Sequence, residues 1–119
     1  MTVTVLIVDD DRDCADALKD TLQDFGYEVS TAHSAMEALR QLESAPRPSV
    51  IILDLLMPGM TGEEFLDRRQ RDTMLAGIPV IVVSATPPQP PLDGYTPLLR
   101  KPVDPAELLE MIASVTSPS

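Results

Sequence analysis

An apolar run that ends on a lone carboxylate limits what this chain can become. Residues Ser49 to Asp54 read S-V-I-I-L-D, and a turn follows at Pro58-Gly59. A short continuous apolar run bounded by turn residues suits a strand buried on both faces. Such a strand has no cheap place for a charge in its middle. Asp54 therefore belongs at the strand's C-terminal edge, where the chain leaves the sheet. In open α/β sheets that edge is where ligands bind.

Similar runs recur along the chain, separated by helical patterns. Thr2 to Val8 reads as a first strand ending at Asp9, and Asp10-Asp11 opens a helix with acids at its positive end. Cys14, Leu18, Leu22 and Phe25 recur at helical spacing, and Gly26 closes that helix. Tyr27 to Ala32 is a second strand. Ser34 to Glu37 is a capping-box pattern that starts a second helix with Met36, Leu39 and Leu42 as its apolar stripe. After the Ser49 strand, residues 63–72 read as a helix and Pro79 to Ser84 as a fourth strand. Leu98-Leu99 is a short fifth strand. Asp104 caps a last helix, with Pro105 in its first turn, Glu107 completing the box, and Leu108, Ile112 and Val115 facing inward. Alternation of this kind implies a parallel sheet with helices on both faces.

With 119 residues, a single domain over 1–119 is expected, large enough for one covered sheet. There is no Trp, so the core is aliphatic. The formal net charge of −10 repels nucleic acid and anionic membrane, so neither is expected as a direct partner. One cysteine, Cys14, cannot form an internal disulfide and is expected as a buried, inert thiol in a reducing compartment. No apolar run has membrane-spanning length and no leader pattern is seen, so a cytoplasmic location is expected.

Polar groups sit at four predicted strand ends: Asp9 and Asp10, Asp54, Ser84, and Lys101. A parallel sheet puts all these ends on one edge, where they can converge. Three carboxylates crowded there repel one another. A hard divalent cation relieves this, and Mg²⁺ takes one or two carboxylates while keeping waters for a phosphate to replace. Lys101 adds a point positive charge and Ser84 a hydroxyl donor. Such a site suits a phosphoryl group between metal and lysine, with Asp54 as the nucleophile that forms an acyl phosphate. Each residue alone has a plainer reading: helix-start acids, a strand-end hydroxyl, a solvated lysine. His33, the only histidine, is expected as a loop residue away from Asp54.

V-D-D at Val8 to Asp10, D-L-L-M-P-G-M-T-G at Asp54 to Gly62, V-V-S-A at Val82 to Ala85 and R-K-P at Arg100 to Pro102 together resemble the receiver (phosphoacceptor) domain of two-component response regulators. The resemblance covers nearly the whole chain. It implies a doubly wound, flavodoxin-like five-stranded parallel sheet of order 2-1-3-4-5. It also implies that Asp54 accepts phosphate from the phosphohistidine of a sensor histidine kinase or a histidine phosphotransfer protein, signalling to a downstream protein target. By the same resemblance, Asp10 ligates Mg²⁺ directly, Asp9 largely through water, and the Leu56 carbonyl adds another oxygen. Lys101 contacts the phosphoryl oxygens, Ser84 swings to hydrogen-bond them, and the backbone N–H groups of Leu55 and Ala85 point at them. The family is a phosphoaccepting signalling module rather than an enzyme acting on a separate substrate.

Two departures stand out. The segment that holds the family's fourth helix is shortened and filled with Pro87, Pro88, Pro90 and Pro91, a composition that cannot sustain a helix interior. Leu98 replaces the aromatic that usually precedes the lysine by three residues. Phosphorylation is therefore expected to reorganise the Pro-rich loop rather than a helix. Two rivals remain. A haloacid-dehalogenase-like phosphatase also forms an aspartyl phosphate, but it needs a second acid two residues on, where Leu56 stands. A phosphorylation-independent docking module keeps the shape without the chemistry.

Overall fold

The structure, a computed structural model, describes residues 3–44, 47–54, 64, 67–68, 71, 77–85 and 97–116. Five strands are joined in the order β2-β1-β3-β4-β5, all parallel: β1 (Thr4–Val8), β2 (Glu28–Ala32), β3 (Val50–Asp54), β4 (Val80–Ser84) and β5 (Leu98–Arg100). Helices α1 (Arg12–Asp24), α2 (Ala35–Ser44) and a last helix, Pro105–Thr116, cover the sheet. Glu64, Asp67, Arg68 and Arg71 are helical too, with an exposed Arg71–Asp67 ion pair at 3.1 Å one turn apart. The expected order 2-1-3-4-5 is the one observed. The shortened fourth helix and the Pro-rich loop lie outside the described residues.

Strand alternation divides the core in two. Val5 and Ile7 of β1, Val50 and Ile52 of β3, and Ile81 and Val83 of β4 face α1 and the last helix, meeting Leu18, Leu22, Leu108 and Ile112. Leu6, Val8, Ile51, Leu53, Val80 and Val82 face the other way, toward Ala35, Ala38 and Leu39 of α2. All five residues of β3 and of β4 are buried, as expected of central parallel strands. The sheet's outer strand on one side, β5, has three residues and lies between Pro97 and Pro102.

Two stripe residues turn outward against expectation. Phe25 is 64% exposed because the helix stops before it. The Gly26 N–H bonds the Gln23 carbonyl, and the Tyr27 N–H bonds the Leu22 carbonyl. This pairing is a Schellman motif, with Gly26 at φ 91°. It carries Tyr27, rather than Phe25, back onto the core around Leu22. Met36 is also exposed, because α2 approaches the sheet through the small Ala35 and Ala38 together with Leu39 and Leu42.

Candidate phosphoacceptor site

The strand ends deliver their polar groups by register. Val8 lies beside Ala32 on one side and Leu53 on the other, so Asp9 emerges next to Asp54. Asp54 pairs with Val83, and Ser84 with Arg100, which puts Lys101 one residue beyond β5. The Lys101 N–H then bonds the Ser84 carbonyl at 3.0 Å and extends the ladder. Asp9, Asp54 and Lys101 continue the alternation of residues facing α1 and the last helix. Their side chains therefore rise on one face. Ser84 has the opposite parity and is buried.

The convergence is direct. Lys101 Nζ donates to Asp9 Oδ2 at 3.0 Å and to Asp54 Oδ2 at 3.2 Å. Both carboxylates are nearly closed to solvent, 1% and 4% exposed. Burial alone pulls the Lys101 ammonium down, but the hydrogen bond to Asp9 and the charges of Asp54 and Asp9 outweigh it and hold its pKa above the ordinary lysine value. Asp10 is exposed and completes a trio with Asp9 and Asp54 in which one carboxylate oxygen of each lies within 4.8 Å of the others. These are the hard donors Mg²⁺ prefers. The Lys101–Pro102 peptide is cis. Ala85 is exposed just past β4; Leu55 and Leu56 lie outside the described residues.

The turn after β1 is tied down on several sides. Asp11, not Asp10, caps α1, its carboxylate accepting from the Cys14 N–H at 3.1 Å. The Asp11 N–H in turn donates to Asp9 Oδ1 at 2.9 Å. Asp11-x-x-Cys14 has the spacing of a cap and its third helical residue, a signal the doublet Asp10-Asp11 obscures. Cys14 is half-buried, and burial followed by the Asp9 carboxylate pushes its thiol above the usual pKa, which suits an inert thiol. His33 meets the turn after β1, its Nδ1 lying 3.1 Å from the Asp9 carbonyl oxygen. The order 2-1 foreshadows this, because the residue after Ala32 must sit beside the residue after Val8.

An anionic pair bridged by a lysine, beside a third acid, thus stands at the C-terminal edge of a 2-1-3-4-5 sheet. The chain matches the response regulator receiver domain family over residues 5–113. It belongs to that family. It is 38% identical to the response regulator MprA of Mycobacterium ulcerans over 85 residues, which is 71% of this chain and 35% of that protein. It is 34% identical over 113 residues to an uncharacterised 14.6 kDa protein of Leptolyngbya boryana, covering 91% of this chain and 86% of the other. Among solved structures, the chemotaxis protein CheY4 of Vibrio cholerae superposes with a TM-score of 0.86 at 35% identity, over 97% of this chain and 99% of that one. A response regulator receiver protein of Pseudomonas putida gives 0.88 at 30% identity, over 96% and 98%. The receiver family belongs to two-component signalling. No described helix of this receiver is long and apolar enough to cross a membrane.

Proposed function

We propose that this receiver accepts a phosphoryl group on Asp54, in the cytoplasm, from the phosphohistidine of a sensor histidine kinase or a histidine phosphotransfer protein. We read residues 1–119 as one receiver domain. The observation that carries the proposal is the Lys101 ammonium bridging the buried Asp9 and Asp54 carboxylates, 3.0 and 3.2 Å away, with Asp10 alongside. An Asp54 carboxylate oxygen forms a P–O bond as the donor's P–N bond breaks. The electron pair stays on the donor imidazole nitrogen, which takes up a proton. Asp9, Asp10, Asp54 and the Leu56 carbonyl would hold Mg²⁺, which when bound neutralises charge on the phosphoryl oxygens.

The chain's own groups do the rest. Lys101 holds the Asp54 carboxylate in place before transfer, and its ammonium then follows the charge onto the phosphoryl oxygens. The backbone N–H groups of Leu55 and Ala85 add donors to those oxygens. Ser84, at the end of β4, turns its hydroxyl to the acyl phosphate, and this movement changes the surface offered to a downstream protein target. Neither nucleic acid nor membrane is a direct partner of so acidic a chain.

Acetyl phosphate with Mg²⁺, followed by intact mass, tests the proposal. One phosphoryl group should appear on the wild type and none on Asp54→Asn or without Mg²⁺. An unmodified wild type would leave the phosphorylation-independent docking module as the better reading.

A further inference from the structure

We propose that His33 is a positioning residue for the acidic trio. It orients the peptide joining Asp9 to Asp10, and with it the direction from which Asp10 presents its carboxylate. This rests on the reading that Asp9, Asp10 and Asp54 hold a divalent cation.

The Asp9 carbonyl can only accept, so His33 Nδ1, 3.1 Å away, carries the proton. The other polar groups of Asp9 are engaged as well. Its N–H donates to the Ala32 carbonyl at 3.0 Å, Oδ1 accepts from the Asp11 N–H, and Oδ2 accepts from Lys101. The carbonyl of Asp9 and the N–H of Asp10 belong to one planar unit, so holding the first holds the second. Asp10 needs this more than its neighbours do: it is exposed, whereas Asp9 and Asp54 are fixed by burial and by Lys101.

His33 is itself anchored. Its backbone N–H donates to Glu37 Oε2 at 3.0 Å, and the Glu37 N–H donates to Ser34 Oγ at 3.0 Å. In the usual capping box the glutamate reaches back to the cap residue's own N–H. Here it reaches one residue further and clamps His33. The first turn of α2 is thereby connected, through one imidazole, to the turn that bears Asp10. Hydrogen bonds made directly to metal ligands are worth about 10- to 100-fold in affinity, and His33, which bonds the peptide beside a ligand, belongs at the lower end.

The test is calorimetric titration of Mg²⁺ into the full chain as wild type, His33→Ala, His33→Asn and His33→Gln, with unfolding curves of the metal-free proteins alongside. Asparagine places an N–H donor where the imidazole has Nδ1; glutamine places it one bond further out. Alanine and glutamine should weaken Mg²⁺ about tenfold, while asparagine stays within about threefold of wild type. A purely structural role would lower the unfolding midpoint without separating asparagine from glutamine in affinity. Unchanged affinity in His33→Ala, or asparagine no better than glutamine, overturns the role of His33. Failure of the wild type to bind Mg²⁺ overturns the metal reading itself.

Discussion

Replacing Lys101 by methionine keeps most of the aliphatic stem and removes the ammonium. Two carboxylates, 1% and 4% exposed, then face each other without their cation. With contacts at 3.0 and 3.2 Å and an effective dielectric of about 20, each attraction amounts to roughly 5 kcal/mol before desolvation is counted. Taking three charged groups from water consumes most of that sum. Breaking a buried pair leaves a net cost of about 3–5 kcal/mol. The lower figure applies here, because the lysine side chain is 21% exposed. In a chelator, Lys101→Met should therefore melt about 10 °C below wild type. Adding Mg²⁺ should raise the variant more than the wild type, since three acids without a lysine attract a dication more strongly and binding to the folded state stabilises it. Thermal unfolding followed by circular dichroism, with chelator and then with Mg²⁺, reads both effects. Equal midpoints in chelator, or a larger Mg²⁺ response in the wild type, would refute the electrostatic account.

Other outcomes follow from the same contacts. Because the Lys101 pKa is raised in the folded protein, its stabilisation is fully present below the unfolded lysine value of about 10.4 and is lost as pH rises through the higher folded value. Urea unfolding of wild type and Lys101→Met should differ by a constant amount from neutral pH to about 10 and converge above it. Gly26→Ala should cost about 1–2 kcal/mol in the same assay, through backbone strain at φ 91° rather than a clash, since nothing lies within 4 Å of the added carbon. Ser34→Ala removes the acceptor of the Glu37 N–H and should cost about 1 kcal/mol, measured by urea midpoint.

Much of this fold is legible in the chain because its central strands are unambiguous. V-I-I-L-D and V-I-V-V-S are too short and too apolar for surface helices, and each ends on the polar residue that marks the sheet's edge. Parallel topology then fixes the meeting of Asp9, Asp54 and Lys101, although they lie 45 and 47 residues apart in sequence. Side-chain direction is less legible in the sequence. Phe25 fits a helical stripe by spacing, but the stop at Gly26 hands its place to Tyr27. Met36 fits as well, but alanines let α2 approach the sheet along a neighbouring line. His33 reads from the sequence only as a loop residue after β2. Its contact with Asp9 depends on the lateral neighbour of β1, which local pattern does not encode.

The margin of the sheet at β5 carries a consequence of its own. Proline has no N–H to offer a neighbouring strand, and one stands just before Leu98 and another just after Lys101. A stray extended segment finds only a brief stretch there on which to align, with the cation of Arg100 on it. Short, charged and proline-bounded margins resist stacking one molecule onto the next. On this side the domain can meet its own copies in a crowded solution without growing into a ribbon.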